Sequence, residues 1–197
     1  MYEVIGSART RAFRVLWMLE ELGLEYTHLD AAPHSQDLRK YNPTGKAPVL
    51  LVDGAPVIDS TAIMTFLADK HGAKDAGMTY PAGTLERARQ DALTHFVLDE
   101  MDAVLWTAAR HSFVLPEDKR VPAVKDSLKW EFERSQAVLL ERMGDGPFLM
   151  GERMTLPDII AAHCVPWAML SKFPLLDEFK AYGKRLSQRP AYKRAAG

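Results

Sequence analysis

The sequence predicts two joined folds, an α/β first half running β-α-β-α-β-β-α and an all-α second half. Three observations carry that prediction. Short apolar runs alternate with helical periodicity up to Leu67, the stretch from His71 to about Gly83 has no apolar period, and strand-like runs disappear beyond it. Tyr2 to Gly6 reads as a strand, and Ala12, Val15, Leu16, Leu19 and Leu22 then recur at helical spacing until Gly23 ends the segment. Tyr26 to Leu29 is the second strand, and a polar helical stretch from Ser35 to Tyr41 leads into Asn42-Pro43-Thr44-Gly45, a turn by composition. Val49 to Val52 and Pro56 to Ile58 flank Asp53-Gly54, a dipeptide that favours a tight hairpin, and Ala62, Ile63, Phe66 and Leu67 mark a further helix. In the second half, Leu85 to Arg110 and Val121 to Met143 carry long helical periodicity, with Val124, Leu128 and Phe132 as one stripe. Pro157 to Leu170 is apolar on nearly every side, as suits a helix enclosed by others. The expected organisation is a first domain at 1–72, a linker at 73–84 and an all-helical domain at 85–197.

Composition narrows the function classes. The chain has 197 residues, 47% of them hydrophobic, which is ample for a packed core. Its 25 basic and 26 acidic side chains leave a formal net charge of -1, so no summed field draws it to nucleic acid or to an anionic membrane surface. The single cysteine, Cys164, has no intramolecular partner for a disulfide, and Met1-Tyr2-Glu3-Val4 is neither basic nor part of a long apolar stretch. Both observations point to a reducing cytoplasm. The most apolar run, Pro157 to Leu170, is too short to span a bilayer and is interrupted at His163 and Pro166.

Two short motifs carry chemistry. In Gly45-Lys46-Ala47-Pro48-Val49-Leu50 a proline stands where a strand should begin, and proline cannot donate to a ladder. A trans proline opening a strand fits this motif. A cis Ala47-Pro48 bond fits it equally and would turn the N–H and C=O of Ala47 outward, to pair with an extended peptide ligand as another strand would. In Ile58-Asp59-Ser60-Thr61-Ala62-Ile63 a strand gives way to a helix, with Ser60 as the expected N-cap. As structure alone, Ser60 does no more than cap. As a binding site, the helix start offers N–H groups and a positive dipole end to a ligand carboxylate while Asp59 takes a ligand ammonium, and a γ-glutamyl group carries both.

Four stretches, in this order, resemble the glutathione S-transferase family over nearly the whole chain. They are Gly6-Ser7-Ala8-Arg9-Thr10-Arg11-Ala12-Phe13-Arg14-Val15 with Leu19-Glu20-Glu21-Leu22-Gly23, then Asn42 to Leu50, then Asp59 to Ile63, and finally Thr155-Leu156-Pro157-Asp158-Ile159. The resemblance is to a serine-type, theta/phi/nu-like bacterial member. It implies a thioredoxin-like N-terminal domain, a helical C-terminal domain, a cis Pro48, glutathione as co-substrate, no metal, and a cytoplasmic homodimer. In such proteins the thiol-activating residue lies between the first strand and first helix, where Ser7 matches the serine-type position and Thr10 is the fallback hydroxyl. Tyrosine-type members place a Tyr where this chain has Ile5 and Gly6, and Cys164 lies in the wrong half for a cysteine-type member. Thioredoxin and glutaredoxin relatives carry a Cys-x-x-Cys at Ser7 to Thr10, so internal dithiol exchange is excluded.

The resemblance also implies a glutathione seat. Lys46 matches a position that reaches a glutathione carboxylate, Ala47 and Pro48 the peptide-pairing turn, and Asp59 and Ser60 the γ-glutamyl end. His34 lies near the histidine with which several serine-type members hold the glycine carboxylate, with a spacing to Asn42 that is one residue short. Arg9 and Arg11 flank the helix start and would attract an anionic tripeptide. Read without the resemblance, Lys46 and Arg9 are solvated surface charges. The second-substrate pocket is expected from the loop at Ala8 and the helix from Leu85 to Arg110, with Trp106, Arg110, His111, Phe113 and Trp167 as candidates that serve equally well as packing. Thr155 to Asp158 is a capping-box pattern with Pro157 in the first turn, a folding signal. The expected reaction is attack of the glutathione thiolate on an electrophilic small molecule, a detoxification chemistry. Glutathione-dependent peroxide or disulfide reduction and isomerisation share that thiolate, and a non-catalytic transferase-like binding module is the reading from another class.

Overall fold

Four short strands make the sheet of the first half: β1 (Tyr2–Ile5), β2 (Tyr26–Leu29), β3 (Val49–Val52) and β4 (Ala55–Ile58), in the spatial order β2-β1-β3-β4. β1 is parallel to β2 and antiparallel to β3, and β3 is antiparallel to β4. The central pair is apolar and buried through Val4, Ile5, Val49 and Leu50, whereas β4 is a largely exposed edge that tolerates Pro56. Asp53 and Gly54 turn the hairpin with φ of +50° and +86°, the two left-handed residues a type I′ turn requires. Helices α1 (Ala12–Glu21), α2 (Gln36–Arg39) and α3 (Ser60–His71) complete the β-α-β-α-β-β-α order read from the periodicity. α1 is enclosed from Ala12 to Leu19, beyond what its apolar stripe alone would bury.

The computed structural model describes residues 1–72 and 77–197. Residues 73–76, the first part of the expected linker, lie outside the described residues. Met78 and Thr79 beyond them are buried, and the first compact unit extends to Pro81. The second unit, residues 82–187, begins with α4 (Leu85–Val97), capped by the Thr84 hydroxyl, which accepts the Arg87 N–H at 3.2 Å. A π-helical turn (Leu98–Asp102) joins α4 to α5 (Ala103–Ala109), and a second (Arg110–Val114) follows it, so the helix expected from Leu85 to Arg110 is widened once in its course. α6 (Val124–Met143), α7 (Leu156–Leu170) and α8 (Asp177–Ser187) complete the unit. Among the described residues, no helix is long and apolar enough to cross a membrane.

The start of α7 is the polar centre of the second unit. Asp158 is fully buried, and its carboxylate accepts from the Thr155 N–H (2.8 Å), the Thr155 hydroxyl (3.2 Å), the Leu149 N–H (2.9 Å) and the Tyr182 hydroxyl on α8 (2.7 Å). Burial pushes its carboxyl above the usual carboxylate range while these four donors pull it back down. The same burial pushes the Tyr182 hydroxyl well above its ordinary value, with the Asp158 carboxylate adding to the rise. Next to Tyr182, a Cβ on Gly183 would lie 2.7 Å from a methyl of Val165, so glycine is what lets α8 close on α7.

The end of the chain departs from expectation. Residues 188–197 belong to the first unit, where α9 (Pro190–Ala196) packs along α1, although periodicity had assigned everything from 85 to 197 to the helical domain. The reason is specific chemistry. Arg189 grips Glu21 through two bonds of 2.6 and 2.7 Å, Arg194 meets Glu20 at 2.5 Å, and the Tyr192 ring stands edge-on to both Phe13 and Trp17 with centroids 4.9 Å away.

Candidate functional site

The start of the β1–α1 connection is fixed by hydrogen bonds at both backbone groups of Gly6 and of Ser7. Gly6 donates to Leu29 O (3.0 Å), Ser7 donates to Ala31 O (3.0 Å), and the Ser7 carbonyl accepts from both the Thr10 N–H (2.9 Å) and the Thr10 hydroxyl (2.7 Å). Gly6 holds φ of +138°, and a Cβ there would stand 2.7 Å from the Cβ of Ala47, a contact no side chain sustains. Continuing the β1–β3 register past Ile5↔Val49 sets Gly6 across from Pro48 and Ser7 across from Ala47, in keeping with that close approach. The two hydroxyls of this loop are therefore not equivalent. Thr10 gives its one proton to the Ser7 carbonyl and accepts the Ala12 N–H at 3.2 Å, in the turn that leads into α1. The Ser7 hydroxyl accepts a long contact of 3.4 Å from the Arg9 N–H and donates to nothing among the described residues.

The peptide before Pro48 is cis. Among the described residues, neither the N–H nor the C=O of Ala47 has a hydrogen-bond partner, since the ladder starts only at Val49. The loop leading to it hangs on Asn42, a buried side chain to which the turn composition and the family-like stretch assigned no role of its own. Its Oδ1 accepts the Thr44 N–H (3.2 Å) and hydroxyl (2.8 Å), and its Nδ2 donates to the Lys46 carbonyl (2.9 Å). Lys46 is exposed at the end of this loop. His34 comes to the same place despite its spacing: its N–H donates to Gly45 O at 2.7 Å, and a Cβ on Gly45 would lie 2.8 Å from the His34 ring nitrogen Nδ1.

At the β4–α3 junction one expectation is corrected. Asp59, not Ser60, is the N-cap: its Oδ1 accepts the N–H groups of Thr61 (2.9 Å) and Ala62 (3.0 Å), while Ser60 is the first helical residue and is buried. Both residues are good caps, and the one whose backbone leaves the helix takes the role. Asp59 holds φ of +73°, a conformation costing a non-glycine residue of order 1–3 kcal/mol, of the kind that persists at ligand clamps. Its other oxygen, Oδ2, faces no partner among the described residues, and Asp59 is exposed. The junction thus keeps an acceptor for an ammonium beside the Ser60 N–H at the start of a helix.

A mixed sheet in the order β2-β1-β3-β4, a cis proline opening β3 and a strained acidic cap at α3 bring Ser7, Ala47 and Asp59 to the ends of adjoining strands. The sequence model of the glutathione S-transferase N-terminal domain matches residues 10–70, and that of the glutathione S-transferase C-terminal domain matches residues 101–190. The chain belongs to the glutathione S-transferase family. Among its relatives, glutathione transferase 23 of Zea mays is 35% identical over 108 residues, covering 53% of this chain and 48% of the maize protein, so the match spans about half the length of that relative. A glutathione transferase from Methylococcus capsulatus superposes with a TM-score of 0.85 at 23% identity, covering 99% of this chain and 97% of the other. The theta class glutathione S-transferase of Xanthomonas axonopodis pv. citri, solved with glutathione bound, superposes with a TM-score of 0.79 at 24% identity, covering 98% and 96%.

In this family member the second-substrate candidates fall in one stretch, Trp106 to Phe113, and at two separate positions, Trp167 and Ala8. Trp106 lies on α5, and Arg110, His111 and Phe113 in the π-helical turn after it. The His111 Nδ1 accepts the Val121 N–H at 3.1 Å, Arg110 donates to the Thr107 hydroxyl at 2.8 Å, and Phe113 is 70% exposed. Trp167 lies on α7, edge-on to His163 with centroids 6.2 Å apart. Ala8 belongs to the first unit and is half-buried, and Arg9 beside it is exposed. Two residues of the site were given no role in the sequence: Asn42, present there in the turn and in the family-like stretch, and His28, whose ring Nε2 lies 2.8 Å from the Gly6 carbonyl oxygen.

Proposed function

We propose that this chain is a glutathione transferase in which the Ser7 hydroxyl holds the glutathione thiol as a thiolate for attack on an electrophilic small molecule. The observation that carries the reading is the open proton of Ser7. A thiolate needs a donor, Thr10 has already given its proton to the Ser7 carbonyl, and Ser7 has not given its own. A free thiol titrates near pH 8.5, so holding it as thiolate at neutral pH takes a shift of about two units, or roughly 2.7 kcal/mol. One hydrogen bond to a charged sulfur supplies about 1.5–3 kcal/mol, and a nearby helix start about 0.3–1 kcal/mol more. The two together suffice.

Glutathione, the ligand of the Xanthomonas relative, suits the remaining groups. The N–H and C=O of Ala47, unpaired among the described residues, match an extended cysteinyl peptide, Asp59 Oδ2 and the Ser60 N–H match the ammonium and carboxylate of a γ-glutamyl group, and the charge of Lys46 and the ring of His34 suit the glycine carboxylate. Arg9 adds attraction for the anionic tripeptide. The thiolate sulfur forms a bond to an electrophilic carbon, and the electron pair passes to the leaving group or onto the acceptor. Trp106, Arg110, His111, Phe113, Trp167 and Ala8 are proposed to meet the second substrate. As in the family at large, we read the working form as a cytoplasmic homodimer. Reduction and isomerisation begin from the same thiolate, and a substrate panel separates them from transfer.

The test is the thiolate absorbance of bound glutathione titrated against pH. The wild-type and Thr10→Ala proteins should show a thiol titrating about two units below its free value, and Ser7→Ala a thiol close to the free value. A Ser7→Ala thiol that still titrates at the wild-type value, or a Thr10→Ala effect as large as that of Ser7→Ala, overturns the reading.

A further inference from the structure

We propose that His28 is a positioning residue for the Ser7 hydroxyl, holding the Gly6 carbonyl and thereby the peptide from which Ser7 projects; the proposal rests on the reading of Ser7 as the thiol-activating group. His28 stands on β2, registered beside Val4, and its Nε2 reaches the Gly6 oxygen at 2.8 Å. A carbonyl oxygen only accepts, so the ring donates from Nε2, either as that neutral tautomer or as the imidazolium.

The geometry explains why this peptide needs a side-chain donor. Gly6 has no Cβ to seat it and holds φ of +138°, so the plane of the Gly6–Ser7 peptide is set by its hydrogen bonds. The flanking groups are answered by main chain, Gly6 N–H by Leu29 O and Ser7 N–H by Ala31 O. The Gly6 carbonyl lies between them, beyond the last paired residues Ile5 and Leu29, where the β1–β2 ladder supplies no further donor. His28 fills that position from the strand itself. Without it the carbonyl turns to water, the peptide plane gains freedom, and the Ser7 proton meets the sulfur over a wider range of angles, which weakens it steeply.

The experiment titrates the thiol of bound glutathione in five proteins: wild type, His28→Ala, His28→Gln, Ser7→Ala and the Ser7→Ala/His28→Ala double variant. His28→Ala should raise the bound thiol by about half a unit, lowering the thiolate-to-thiol ratio at any pH about threefold, the size of one ordinary hydrogen bond. His28→Gln, whose amide nitrogen can take the place of Nε2, should restore the wild-type value. In the Ser7→Ala background, His28→Ala should add nothing, because His28 acts through Ser7. A His28→Ala thiol that matches wild type while Ser7→Ala shifts, a failure of Gln to rescue, or an equal effect with and without Ser7 overturns the proposal. A Ser7→Ala thiol that matches wild type instead overturns the reading on which it stands.

Discussion

The start of α7 and the strand ends around Ser7 and Asp59 are built from the same residue types, hydroxyl and carboxylate beside a helix N-terminus, yet they finish differently. At α7, Asp158 is fully buried and all four donors around it are answered by one carboxylate. At the other site Asp59 caps with a single oxygen, Ser7 keeps its proton, and Ala47 leaves both backbone groups open. Polar groups satisfied within the chain hold the fold and have nothing left for a ligand. Groups kept open on a backbone fixed by bonds on every side, as at Gly6 and Ser7, cost the fold little and are already aimed.

That contrast is most easily broken at its satisfied end. Asp158→Ala strands the Leu149 and Thr155 N–H groups and the Tyr182 hydroxyl in the core, and urea denaturation should show a loss of at least about 3 kcal/mol. A loss under about 1 kcal/mol would remove Asp158 from the centre of the second unit. Ser7→Ala comes next and has the opposite signature, a bound thiol raised by about one to two units with unfolding free energy within about 0.5 kcal/mol of wild type. Asp59→Asn keeps a capping oxygen and removes the charge, so glutathione affinity by calorimetry should fall about tenfold while the melting curve stays in place. Lys46→Ala, at an exposed position, should cost only about threefold in the same titration.

The smallest effect is the pH response of a satisfied pair in the first unit. The Tyr2 hydroxyl and His71 Nε2 lie 2.7 Å apart, and burial, with the Lys70 charge, holds His71 below its ordinary value of 6.5. A base whose folded value is depressed contributes stability that is present above 6.5 and lost as pH falls through the depressed value. Thermal melts between pH 7 and pH 5 should therefore fall further for the wild type than for His71→Gln; identical slopes would show that this pair does not couple protonation to folding.

Much of the fold was legible because it rests on local signals. The change from period-two runs to helical spacing placed every strand of the sheet, and Asp53-Gly54 announced a turn whose two positive φ angles only such residues adopt easily. What stayed hidden depends on contacts between distant residues. Nothing in the spacing of α9 shows that Arg189 and Arg194 will meet Glu21 and Glu20, so the last helix was assigned by sequence order to the wrong unit. In the site, Ser7, Lys46, Ala47, Asp59 and Ser60 were legible through motifs, but the choice of Asp59 over Ser60 as cap turns on a backbone angle, since the two rank alike as capping residues. His28 sits on an ordinary strand, 22 residues from the carbonyl it holds, and carries no motif at all.

The central claim is that the open groups at Ser7, Ala47 and Asp59 receive one glutathione together. A crystal structure of the protein soaked with glutathione tests it most directly. The account predicts the cysteinyl backbone paired with Ala47, the γ-glutamyl ammonium on Asp59 and the sulfur within hydrogen-bonding distance of Ser7 Oγ. Glutathione bound with its sulfur on Thr10, or seated away from Ala47, would contradict it.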